Sequence, residues 1–187
     1  MFGKTHTPMK TLCTLLLLWS ANTFKLPNKT VETVDVNNYS GTWYSLYSIP
    51  TTYDKGTRET QGSYTWNTSG NYFDVVTSYK KPGSEEVHSI QSKVFQVPGT
   101  NNAKMKCQFV WPFKVDYWVI ELAPDYSYVV VGHPEHKLLF IMSRKKTLDK
   151  KTYSKIVERC ESRGYDVSKL TSQQHRQPAG ELNARSN

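Results

Sequence analysis

From residue 41 to residue 143 the chain is cut at short intervals by turn-forming residues, and between the cuts Tyr, Trp, Phe and Val alternate with polar residues. Gly41–Ile49 stops at Pro50, and segments 61–66 and 72–79 flank Asn67-Thr68-Ser69-Gly70-Asn71. Segment 87–97 ends at Pro98-Gly99, 103–111 at Pro112, and 117–122 before Pro124. Segment 127–131 runs into Gly132-His133-Pro134, and 137–142 precedes a basic cluster. A period of two bounded by Gly, Pro and Asn marks a half-buried strand, and the turn at 67–71 marks a hairpin. Eight strands with short connections and no helix between them predict an all-β meander. Closing them into an eight-stranded antiparallel up-and-down β-barrel removes both exposed edges. Such a barrel either fills with its own side chains or holds one small ligand.

One helix follows the last strand. Asp149 is a good N-cap, Gly164 suits the left-handed residue that ends a helix, and Tyr153, Ile156, Val157 and Cys160 share one face. That stripe predicts a single C-terminal α-helix packed on the outside of the barrel, with Tyr165 and Val167 extending the packing.

The two ends of the chain read differently. Segment 1–21 carries Lys4 and Lys10, no acidic residue, and an apolar run over 12–19. That order of charge then apolar run predicts a cleaved secretory signal peptide, too short to span a bilayer, with an uncleaved anchor as the alternative. Cys13 opens the apolar run instead of following it, unlike a lipid-anchor cysteine. Segment 173–187 is mostly Gln, Arg, Asn and Ser with Pro178 and Gly180, the composition of a disordered tail. The expected organisation is signal peptide 1–21, extension 22–33, barrel domain 34–172 and polar tail 173–187, in a secreted or extracytoplasmic protein.

Charge excludes some partners. Lys and Arg number 24 against 16 Asp and Glu, a formal charge of +8, which falls to +6 without Lys4 and Lys10. The basic residues are scattered, as a solvated surface requires, and do not line a nucleic-acid groove. The mild cluster at Arg144, Lys145 and Lys146 leaves peripheral association with an anionic membrane open. There is no phosphate-binding glycine loop and no nucleophile elbow. His133-Pro134-Glu135-His136 has no further ligand beside it, so neither metal nor cofactor is expected. Asn28, Asn38 and Asn67 each open an N-glycosylation sequon.

Alternation selects the residues that face the barrel interior. Strand 103–111 puts Met105, Cys107 and Phe109 on one face and Lys104, Lys106 and Gln108 on the other. Counted the same way, Tyr117, Val119, Tyr128, Val130, Leu138, Phe140 and Met142 complete the candidate ligand-binding set. Phe140, aromatic and mid-strand, is the leading member, while Trp111 and Phe113 are placed to line the open mouth. Glu121 shares the inward parity unless a bulge turns it out. Cys107 inside and Cys160 on the helix face are separated by the barrel wall, so both are expected to be free thiols.

Gly41-Thr42-Trp43-Tyr44 at the first strand, Asp125-Tyr126 between strands six and seven, and Arg144 closing strand eight resemble the three lipocalin motifs, in order. Ala103 to Phe113, Asp116-Tyr117-Trp118-Val119-Ile120, Ile141-Met142-Ser143-Arg144 and Gly164-Tyr165-Asp166-Val167-Ser168-Lys169-Leu170 are similar to the bacterial lipocalin and apolipoprotein D branch. The resemblance covers roughly 34–173. It implies that the three motifs meet at the closed end, with Arg144 against Trp43, and that Gly41, Trp43, Tyr44, Asp125, Tyr126 and Arg144 are structural. It also implies a small hydrophobic ligand, such as a fatty acid or lysophospholipid, bound without chemical change. Two alternatives stay open: an enzyme using Cys107 on a bound lipid, and a surface interaction module with a filled barrel.

Overall fold

The computed structural model describes residues 26–51 and 54–176. The signal peptide expected at 1–21 and the tail beyond 176 lie outside the described residues.

A short helix α1 (Val36–Tyr39) precedes β1 (Gly41–Ile49), β2 (Arg58–Asn67), β3 (Tyr72–Lys80), β4 (Val87–Gln96), β5 (Lys104–Val110), β6 (Phe113–Leu122), β7 (Tyr128–Gly132) and β8 (Leu139–Ser143). Helix α2 (Lys150–Ser162) and a two-residue strand β9 (Thr171–Ser172) follow. Each of β2 to β8 pairs antiparallel with the next, and β1 pairs with both β8 and β2, closing the barrel. The expected strands are all present. The largest boundary difference is β6, which starts at Phe113 and not at Tyr117. Trp111 and Pro112 form a tight turn, so both arms of the β5–β6 hairpin run almost to its tip, with Val110 opposite Phe113.

Two apolar cores share the barrel wall. The inner core contains Trp43, Tyr64, Phe73, Val75, Val94, Met105, Val119, Val129, Val131 and Met142, with Tyr39 of α1 plugging one end. The outer core packs Ile156, Cys160 and Tyr165 against Ile49, Ile120, Val130, Leu139 and Ile141 on the barrel's outer surface. Helix α2 forms where expected. The Asp149 carboxylate accepts from Thr152 N–H at 2.9 Å, and Gly164 terminates the helix with a φ of +98°. At Gly132 an added Cβ would collide with the Tyr165 hydroxyl. The glycine therefore lets the segment after α2 dock against β7.

One feature of the closure corrects the sequence reading. Strand β2 pairs with β1 only from Gly41 to Tyr44, and β9 takes over the same edge at Tyr47 and Ser48. Gln173 fills the seam between them. Its N–H donates to Leu46 C=O at 2.9 Å, and its C=O accepts from Glu59 N–H at 2.6 Å. Its side chain accepts from Thr60 and donates to Ser48 Oγ. Residues 173–176 are therefore part of the fold and not of a disordered tail. The buried backbone of a splayed strand needs partners, and this segment supplies them.

Candidate functional site: the barrel interior and its two ends

Turns β2–β3, β4–β5 and β6–β7 gather at one end with α1, and this end is closed. Arg144 lies 3.6 Å over the Trp43 ring. Its guanidinium donates to the carbonyls of Asn38, Ser40 and Thr42 at 2.7, 2.9 and 2.8 Å, and to that of Tyr39 at 3.2 Å. Three of these carbonyls lie at the C-terminus of α1, where a helix leaves its acceptors unpaired. Trp43 Nε1 adds a donor to Tyr39 C=O at 2.8 Å. Tyr126 Oη accepts from Asp35 N–H, and the Asp125 carboxylate accepts from Ser127 N–H. Tyr44 meets the His175 ring edge-on. A shallow, open cleft of about 400 Å³ outside this end is lined by Asn38, Pro124, Asp125, Tyr126 and Arg144. At its floor Arg144, Tyr126 and Asp125 are already engaged in the contacts just described.

Inside the barrel, Met105, Cys107, Val119 and Met142 belong to the inner core, and Tyr117 and Phe140 pack against it with part of their surface uncovered. Phe109 has the inward parity but sits near the open rim, half exposed. Leu138 lies just before β8 and is partly buried.

Tyr128 and Val130 are corrected: both pack in the outer core beneath α2, and Val129 and Val131 face the interior instead. All three valines, 129 to 131, are fully buried because α2 covers this wall. With both faces apolar, no polar alternation marks which is inner.

Glu121 faces outward. A register shift between Val119 and Glu121 turns it to α2, where Arg159 and Arg163 hold it and Tyr128 Oη donates to it at 3.0 Å. Burial pushes its carboxyl up, but the Arg159 hydrogen bond and charge outweigh this and hold it below the usual range.

Sequence reasoning missed Tyr39, Tyr64, Trp66, Phe73, Val75 and Val94 as interior residues. Alternation in β2 and β3 could have found the middle four. Nothing in the sequence marks Tyr39, which reaches the interior from α1. Its hydroxyl lies 2.6 Å from that of Tyr117, and the Tyr64 hydroxyl lies 3.1 Å from the same oxygen. Burial pushes all three phenols above their ordinary pKa, so they are neutral.

Cys107 and Cys160 are free and buried, on opposite sides of the wall. Burial pushes the Cys107 thiol up to about 11 against a smaller opposing effect of a Ser92 hydrogen bond, and Cys160 up to about 12. His88 stands opposite Tyr79 near the rim. It is six residues along β4 from Val94, the partner of Cys107, or about 20 Å at strand rise.

The open end contrasts with the closed one. At the β5–β6 tip Trp111 is 82% exposed, Phe113 75%, Val110 65% and Phe109 51%. Trp111 and Phe113, expected to line the mouth, are therefore largely in solvent at this tip. Lys114 follows Phe113, its ammonium 3.9 Å over the Phe95 ring, and Lys106 pairs with Asp116 at 2.9 Å farther down the hairpin.

Comparison with known proteins agrees with this architecture. Residues 34–175 match the family model described as a lipocalin-like domain. Temperature-induced lipocalin-1 of Arabidopsis thaliana is 30% identical over 175 residues, covering 88% of this chain and 90% of the plant protein. Outer membrane lipoprotein Blc of Vibrio cholerae is 27% identical, covering 76% of this chain and 83% of its own length. Among solved structures, insecticyanin of the tobacco hornworm Manduca sexta superposes with a TM-score of 0.62 at 19% identity, covering 82% of this chain and 87% of that one. At that identity the likeness establishes the fold alone.

Proposed function

The chain belongs to the lipocalin family, with bacterial lipocalins and apolipoprotein D among its relatives, and from that premise we propose that it binds one small lipophilic molecule in the barrel and carries or stores it unchanged. The observation that carries this reading is the inner face itself. Tyr117 and Phe140 pack against the inner core yet keep part of their surface uncovered, which leaves apolar side chain for a ligand to cover. Removing apolar surface from water contributes about 25 cal/mol per Å², so an acyl chain or ring system suffices for binding. Met105, Cys107, Tyr117, Val119, Phe140 and Met142 are the proposed wall, with Phe109 and Leu138 toward the rim. A fatty acid or lysophospholipid is the first class to test. We take 1–21 as the export leader of an extracytoplasmic protein, which N-terminal sequencing of the secreted form would check.

Native mass spectrometry before and after organic extraction tests the binding. A stoichiometric lipid that leaves and rebinds supports it. An empty protein that refuses a lipid panel means a filled barrel working through its surface. Catalysis by Cys107 is disfavoured because burial pushes its thiol up to about 11 and the contact that opposes this is a serine. Replacing Cys107→Ser should leave binding intact and remove no turnover.

The hairpin tip favours a second element, loading at a membrane surface. Trp and Phe side chains partition into the interfacial region of a bilayer, and a lysine just behind them meets anionic head groups. The doubly substituted Trp111→Ser, Phe113→Ser protein should lose sedimentation with phosphatidylglycerol-containing vesicles while keeping its ligand. Equal sedimentation of both proteins would remove the membrane from the reading.

A further inference from the structure

The three interior phenols contain more donors than their own contacts use. Tyr117 Oη stands between Tyr39 Oη at 2.6 Å and Tyr64 Oη at 3.1 Å, two hydrogen bonds among three hydroxyls. Each hydroxyl has one proton, so in any orientation the two bonds use two protons and leave one. A buried O–H without an acceptor is unfavourable, and native interiors rarely leave one.

The surroundings offer little to take it. Tyr39 is fully buried between Trp43, Phe73 and Tyr64, whose rings lie 5.3, 5.6 and 5.6 Å away. Met105 is the strand partner of Tyr117, and Cys107 and Val115 form the next pair on that face. Of the three, Tyr117 alone is only partly buried, so it is the member of the cluster that an incoming molecule can touch. Tyr39 and Tyr64 donating to Tyr117 leaves the spare proton on Tyr117.

We propose that Tyr117, backed by Tyr39 and Tyr64, is the polar anchor of the ligand site and takes an uncharged oxygen acceptor, the carbonyl of a ketone or ester, at the inserted end of the lipophile. This rests on ligand binding in the barrel and selects among the ligands that reading allows. A carboxylate is excluded from the same position. No lysine or arginine among the described residues hydrogen-bonds to the phenols, and Arg144 is committed to four carbonyls at the closed end. An anion there would be desolvated without a countercharge. A fatty acid therefore enters tail first, leaving the phenol proton unmatched, whereas a carbonyl-bearing lipophile matches it.

The test uses the full-length protein after delipidation and three probes of matched chain length: a methyl ketone, a methyl ester and an alkane. Their affinities are read by displacement of a fluorescent hydrophobic dye. The infrared carbonyl stretch of carbon-13-labelled ketone and ester is recorded bound and in hexane. The expected result is tighter binding of a carbonyl probe than of the alkane, with its stretch moved to lower frequency when bound. Whichever of ketone and ester shows the larger shift identifies the source of the carbonyl. Tyr117→Phe should abolish the shift and weaken that probe about tenfold relative to the alkane. Unshifted carbonyls, or equal weakening of carbonyl probe and alkane, would overturn the anchor while leaving barrel binding intact. No binding of any probe would overturn both. The wild-type affinity ratio and stretch are readable even if the variant fails to fold.

Discussion

The two ends of this barrel have similar materials, a tryptophan and nearby basic residues, and treat them in opposite ways. At the closed end Trp43 is fully buried and Arg144 covers its face while satisfying the carbonyls that α1 leaves open. At the open end Trp111 and Phe113 stand in solvent, with Lys114 bonded over a different ring. At the closed end the Arg144 guanidinium is spent on four carbonyls and the Trp43 indole on Tyr39 C=O. The open end keeps apolar surface in water at a cost to solubility, which makes it the end where recognition can occur.

The largest effect should come from Trp43→Ala, which empties the centre of the closed end and should destabilise the fold by about 3–5 kcal/mol in equilibrium urea unfolding. A loss no greater than that of a tip substitution would break the contrast between the ends. Arg144→Ala removes a cation–π contact and leaves several carbonyls short of a donor, for a loss of about 2–3 kcal/mol by the same measurement.

A smaller effect is expected at the seam. The His175 ring donates to Ser45 C=O at 2.8 Å, and burial holds its pKa below the ordinary histidine value. A depressed histidine stabilises the fold in its neutral form. That contribution is present above about pH 6.5 and is lost as pH falls through the folded pKa. Amide protection factors over 171–175, which correct for the intrinsic pH dependence of exchange, should therefore fall between neutral pH and about pH 5, ahead of those in β8. Simultaneous loss of protection in both would show that the seam does not open on its own. The smallest effect belongs to Trp111→Ser and Phe113→Ser, which should shift stability by no more than about 0.5 kcal/mol in the same urea titration. A larger loss would mean the tip is part of the core and not a surface held ready for a partner.

Much of this was legible along the chain because the signals are local. Turn residues placed the eight strands, Asp149 and Gly164 bracketed α2, and alternation put Met105 and Cys107 on one face. The motif spacing that resembles lipocalins located Trp43 and Arg144, which the structure brings into contact. Residue order alone carries such features, since a period of two or a capping side chain depends only on near neighbours.

Tertiary structure decided the rest. Val129 to Val131 read alike in sequence, and only the position of α2 makes Val130 an outer residue and its neighbours inner ones. Glu121 turns outward because of one register shift, and Gln173 joins the fold because β1 and β2 part company beyond Tyr44. The phenol cluster joins residues 39, 64 and 117 from three separate elements. Its unmatched proton depends on where three side chains converge, and no local pattern encodes such a meeting.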